Sequence, residues 1–320
     1  MKVFTKRTMM QSISMIAVTV ASLTTFAGER VDKSMDVAGA SQVYIENQRG
    51  VVSIQGYSGD TIELTGTLDD KAEELVFKKQ GNRVKVIVEV PRQNGYNNNR
   101  NGSNLVLKVP QQLGINFEGV SSDVAVNNIE SDVYIKTISG DISAQKLLSH
   151  ADMNSVSGNI KTSGLQGKIN LHSVSGNITD EQSTGKLSIT VVSGDIETQS
   201  SAQDVRLEAI SGNIEAKLTS VSDLEMKTIS GDADVTLALE EQGTAKMSSV
   251  SGDYTLEFEG DIDADFRLKT SAGGNIKNRL TNDKATKGKY VPSSKLSFTV
   301  GDGSGSVRGS TVSGSFTLNK

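Results

Sequence analysis

A chain of 320 residues with 31 Gly, 3 Pro, no Trp and 4% aromatic residues is suited to short strands and tight turns, and too poor in large side chains for one wide core. The absence of Cys excludes disulfides, thiol catalysis, thiolate metal sites and a lipidated N-terminal cysteine, while two histidines, His150 and His172, leave little for a His-based metal site or triad. With 33 Lys+Arg against 38 Asp+Glu the chain is mildly acidic, which argues against nucleic acid or anionic lipid as a main partner.

Residues 1–27 read as an export signal. Lys2, Lys6 and Arg7 precede the apolar run Ile13 to Leu23 and then Thr24-Thr25-Phe26-Ala27, with cleavage expected after Ala27. The run is short for a spanning helix, an uncleaved anchor being the alternative. Cleavage would remove three positive charges and no negative ones, leaving 30 basic against 38 acidic residues. Residues 28–320 read as one β-solenoid domain, with irregular N-terminal rungs over 28–130, regular repeats over 131–260 and C-terminal rungs over 261–320. Strand-turn-strand character begins at Val43 to Ile54. Strands are predicted over Val84 to Val90 and Leu105 to Val109, and Asn94 to Asn104 between them is too polar to bury and reads as a loop. Val120-Ser121-Ser122-Asp123-Val124 looks like a rung in which Ser replaces Gly.

The repeat then becomes plain. Ile138-Ser139-Gly140-Asp141-Ile142 recurs around Gly158, Gly176, Gly194, Gly212, Gly231 and Gly252, at spacings of 18 residues four times, then 19, then 21. Such a period points to stacked rungs, about 4.8 Å apart when equivalent residues lie above one another. The expected fold is all-β: a single-stranded parallel β-helix, or β-solenoid, with rungs of about 18 residues. Five residues before each Gly stand Ile135, Met153, Leu171, Ile189, Leu207, Met226 and Met247, an inward column. Four before it stand Lys136, Asn154, His172, Thr190, Glu208, Lys227 and Ser248, an outward one. Two before it the residue is always Ile or Val, which departs from the expected alternation and implies a bend before the Ser-Gly turn. After the turn, Ile142, Ile160, Ile178, Ile196 and Ile214 return inward. The Gly serves either a positive φ or a close approach between rungs, and the Asp or Asn after it accepts backbone hydrogen bonds or joins a ladder.

Farther on, Phe266 to Ile276 repeats the pattern around Gly273-Gly274 with one extra residue, and Val312-Ser313-Gly314-Ser315-Phe316 repeats it again. Between them, 277–294 carries Lys277, Arg279, Lys284, Lys287 and Lys289 against one Asp283, the most basic stretch after the signal. Gly50-Val51-Val52-Ser53-Ile54-Gln55-Gly56-Tyr57, the step Lys108-Val109-Pro110 and the serial Ser-Gly-Asp/Asn-Ile turns resemble a bacterial family of exported β-strand-repeat proteins known as "putative adhesins". The likeness spans essentially the whole chain after the signal. It implies a parallel β-helix at the cell envelope and supplies no catalytic residues to carry over.

Glu197, Glu215 and Asp234 fall in one outward column, at about the separation of a retaining glycosidase pair or of oxygen ligands around a divalent cation. A solvated polar face is the simpler reading, because no general-acid environment is visible. The turn column Asp141, Asn159, Asn177, Asp195, Asn213, Asp232 and Asp253 resembles a calcium ladder, but neutral Asn interrupts its charge, so it too is read as structural. No catalytic, cofactor-binding or metal-binding residue is assigned, and no cofactor. The expected function is that of a non-enzymatic cell-envelope protein, periplasmic or at the surface, binding a glycan or envelope polymer or another surface protein. No nucleic acid and no membrane insertion after signal removal are expected, and no oligomeric state is assigned. A polysaccharide lyase or hydrolase on the same fold, and an envelope stress-sensing module, are the alternatives.

Overall fold

The computed structural model describes residues 28–91 and 102–320. The expected export signal lies outside them, as does the polar loop apart from Gly102, Ser103 and Asn104, the last two of which already belong to strand Ser103–Pro110. Among the described residues every regular element is a strand, and all join one sheet system.

Period two and period 18 act together in the regular rungs. Each contributes a strand before the Ser-Gly corner and another after it. Ala151–Ser155 lies parallel between Val133–Thr137 and Gln166–Ser173, with Met153 opposite Ile135 and Leu171. Past the corner, Ile160–Ser163 lies parallel between Ile142–Leu147 and Ile178–Glu181, with Ile160 opposite Ile142 and Ile178. Both inward columns are buried throughout. Apolar alternation thus selects the face of each strand, and the repeat places like side chains on like. The 19- and 21-residue spacings are absorbed away from the corners, where the pairing of Ile214–Ser230 with Ala233–Ser251 shifts register around Val221.

At both ends the chain departs from simple sequential winding. Strand Gln42–Tyr57 is parallel to Gly114–Ile129 on one side, and on the other to Arg83–Glu89 and then Ser103–Pro110. Beyond that rung the pairing turns antiparallel: Glu74–Gln80 covers Arg83–Glu89, Thr61–Thr67 covers Ser103–Pro110, and Arg30–Asp36 lies on Thr61–Thr67. The other end uses the same device. Gly305–Thr311 enters between the later part of Ala233–Ser251 and the earlier strand Ala264–Thr270, and Ser294–Val300 covers the latter in antiparallel fashion. The expectation of parallel pairing throughout is therefore corrected at both ends. A stacked coil leaves an open row of backbone donors and acceptors at each end, and a returning hairpin covers it.

Aromatic side chains close the second end. Phe266 stacks on Phe298 with ring centroids 4.6 Å apart and meets Phe258 edge-on at 5.5 Å, while Tyr254 stacks on Phe316 at 5.4 Å. The core is a narrow aliphatic column with wider residues at its close.

Candidate functional site

The Ser-Gly-Asp/Asn corner is the most repeated feature, and its chemistry is structural. An added Cβ would lie 2.0 Å from the Gly140 carbonyl oxygen at Gly158, 2.1 Å from that of Gly158 at Gly176, and 1.9 Å from that of Gly194 at Gly212. Close approach between rungs is the requirement; in this column positive φ occurs only at Gly50 and Gly231. The next residue forms a ladder. The Asn159 N–H donates to Asp141 Oδ1 (2.8 Å), that of Asn177 to Asn159 Oδ1 (3.0 Å), that of Asp195 to Asn177 Oδ1 (2.9 Å), and that of Asn213 to Asp195 Oδ1 (2.8 Å). The series continues through Asp232 and Asp253 to the N–H of Ser315. Asp and Asn interchange here because each supplies one Oδ1 acceptor.

The carboxylate column is assembled as expected. Glu197 pairs in register with Glu215 and Glu215 with Asp234, flanked by Thr179 and Thr255. All three are exposed along an open groove of about 460 Å³ that also holds Gln199, Lys217 and Glu257. Among the described residues no group of three or more His, Asp or Glu side chains is placed to hold a metal ion. The histidines remain apart: His150 Nδ1 lies 2.9 Å from the Lys168 carbonyl oxygen with its ring against Tyr134, and His172 stands in the outward column between Asn154 and Thr190. Lys277, Arg279, Lys284, Lys287 and Lys289 are all exposed, and Tyr290 beside them is 88% exposed.

Three features escaped the sequence reading. Asp180 lies in the core, its Oδ1 accepting from Thr162 (2.6 Å) and Ser183 (2.5 Å) and its Oδ2 from Thr198 (3.2 Å). Burial raises its pKa, and the three hydroxyls only partly oppose that shift. Asp69, also buried, would be raised by burial too, but hydrogen bonds from Arg49 and the Lys71 N–H hold its carboxyl below the ordinary carboxylate value. Asp69 carries no sequence signal, lying just past strand Thr61–Thr67 among polar residues, whereas counting in twos from the inward Ile178 places Asp180 inside despite its charge.

The third is the Ile/Val column, and here an expectation is corrected. The residue three before each Gly, Thr137, Ser155, Ser173, Val191, Ala209, Thr228 or Ser249, is buried. Alternation is therefore kept, and the following Ile or Val points outward. Val120, Ile138, Val156, Ile210, Ile229, Val250 and Val312 are 42 to 50% exposed, with Val174 and Val192 intermediate. Ladder bonds place these nine in one row, with Gln48 beyond Val120 and Ala272 beyond Val312. The bend does fall there, at Ile138, Val156 and Val174. Apolar character alone points to the core here, whereas counting in twos from the buried fifth position places the column outside.

Solved structures similar to this chain include a "putative lipid binding protein" from Parabacteroides distasonis ATCC 8503, with 14% identity, covering 92% of this chain and 98% of that one at a TM-score of 0.45. A "putative adhesin" from the same organism has 13% identity over 73% of this chain and 95% of that one, TM-score 0.39. A "putative cell adhesion protein" from Clostridium sporogenes ATCC 15579 has 9% identity over 91% and 99%, TM-score 0.23. No curated protein matches the chain. The Toastrack DUF4097 family model matches residues 41–319, nearly everything from the first corner rung to the last strand, and the chain belongs to that family.

Proposed function

We propose that this chain is a single-stranded parallel β-helix with antiparallel ends, exported to the cell envelope, where it acts without catalysis as an adhesin-like scaffold for a glycan or other envelope polymer. The observation that carries this reading is the alignment of outward polar side chains in unbroken columns, such as Thr179, Glu197, Glu215, Asp234 and Thr255, of which the three carboxylates are exposed and the two threonines partly so. A column with a spacing of about 4.8 Å offers a regular polymer many weak, equivalent contacts at once, and their combined avidity can exceed any single affinity. The exposure of the three carboxylates favours binding over acid catalysis, since a general acid at neutral pH needs an environment that keeps it protonated. The basic stretch with exposed Tyr290 offers a second contact suited to acidic polymers.

The test is to incubate the purified protein with neutral and acidic envelope polysaccharides, following retention and cleavage together. Retention without new reducing or unsaturated ends is expected. Appearance of such ends would overturn the non-enzymatic reading, and no retention by any polymer would overturn the ligand class. Replacing Lys284, Lys287 and Lys289 by Gln is expected to reduce retention of acidic polymers selectively; unchanged retention would remove this stretch from the binding surface.

A further inference from the structure

The aliphatic ridge lies on the sheet face that precedes the corner. It is about 38 Å long, eight spacings of about 4.8 Å. β-propensity alone does not explain it, because the neighbouring outward columns on the same strands are mixed and polar. A continuous outward apolar strip of this length, with seven of its nine residues 42 to 50% exposed and Val174 and Val192 intermediate, marks a contact.

The polar column beside the ridge identifies the occupant. From the Val120 rung onward it reads Glu118, Lys136, Asn154, His172, Thr190, Glu208, Lys227, each in ladder register with the next. Its charges run negative, positive, three uncharged or histidine positions, negative, positive. The pattern is antisymmetric about His172: reversing the column puts each charge opposite its counter-charge. We infer that this face is an interface between two copies of the chain, packed ridge to ridge and antiparallel, with a two-fold axis across the Val174 rung.

An axis in the interface plane and perpendicular to the ridge brings this polar column onto itself in reverse, the self-complementary arrangement of an isologous contact. Glu118 then faces Lys227 of the other copy, and Lys136 faces its Glu208. One column farther out, Tyr134 faces Arg206, an aromatic ring against a guanidinium, and Asp152 faces Ser188. Moving the axis half a rung sets Lys136 against Lys227 or Glu118 against Glu208, and moving it a full rung onward sets Asp152 against Glu225. Opposed like charges of this kind fix register. Parallel ridges would instead face the polar column with the corner serines. Seven shared rungs and three outward columns cover about 700 Å² per copy, close to the roughly 800 Å² per partner of a stable interface. This inference is independent of polymer binding, which uses other faces.

The absence of native cysteine makes the test direct, using the full chain as the cell produces it. Sedimentation and light scattering are expected to show a reversible dimer. With a short bis-maleimide, Val174→Cys is expected to cross-link to itself, because it lies on the axis, while Val250→Cys is not. Ile138→Cys and Ile210→Cys are expected to cross-link only when mixed. Val174→Lys sets two lysines face to face and is expected to weaken association about tenfold or more. A monomer at all concentrations, equal cross-linking of Val174→Cys and Val250→Cys, or self-cross-linking of Ile138→Cys would each overturn the inference.

Discussion

At the scale of single residues, the regular corners rest on close contacts between successive rungs. Gly176 has no room for a Cβ because the Gly158 carbonyl oxygen would lie 2.1 Å away, so Gly176→Ala must push two rungs apart. A loss of about 2–3 kcal/mol, in the range of overpacked cores, is expected in a denaturant titration. Asn177→Asp keeps the Oδ1 that receives the Asp195 N–H and is expected to leave stability nearly unchanged, whereas Asn177→Ala is expected to cost about 1 kcal/mol. The two buried carboxylates respond to pH in opposite senses. Asp180 has a folded pKa raised by burial, so its contribution is most favourable below the unfolded value of about 3.9 and is lost as pH rises through the folded value. Asp69, held low in the fold by Arg49 against the pull of burial, contributes above the unfolded value and loses that contribution as pH falls through the folded one. Urea titrations of Asp180→Asn at pH 4 and pH 7 are expected to show the variant gaining on the parent as pH rises. A difference independent of pH would show that burial does not govern this carboxyl.

At the scale of strands, legibility followed locality. Met153, Leu171 and Ile189 could be placed inside because two short-range signals coincide there, alternation along the strand and recurrence at 18 residues. Ser122 could be read as a stand-in for Gly because its neighbours kept their columns. The ends were illegible for the opposite reason. That Gly305–Thr311 enters beside Ala233–Ser251 rather than beyond Ala264–Thr270 depends on which edge is free when the chain returns, and no local pattern records this. The ridge also has a local signal, but there residue type and phase point opposite ways, apolar character toward the core and alternation toward solvent. The strand order predicts a distinctive protection pattern. Amides of Gly305–Thr311, flanked on both sides, are expected to exchange as slowly as those of Thr184–Ser193, while the edge strands Arg30–Asp36 and Glu74–Gln80 exchange fast. Rapid exchange across 305–311 in mass-spectrometric measurements would contradict the insertion.

At the scale of the whole molecule, stability is shared among rung-to-rung contacts more than among distant parts. The regular section is therefore modular. Removing residues 177–194, one full period, joins Gly176 to Asp195 and returns every later side chain to its column; circular dichroism and melting are expected to report an intact, somewhat less stable fold. Removing only 177–185 breaks the columns and is expected to leave no cooperative transition. Modularity stops at the ends, where the chain overshoots by one rung and comes back. A spiral fastened at its last coil unwinds under tension one bond at a time. Here, once the edge strand Arg30–Asp36 has peeled away, tension reaches Gln42–Tyr57, clamped between rungs, and from residue 320 it reaches Phe316–Asn319 and Gly305–Thr311, clamped in the same way. These strands must slide along both neighbours before any coil opens, so their ladder bonds carry the load together, and the stack holds against pulling as a clasp does rather than a zip.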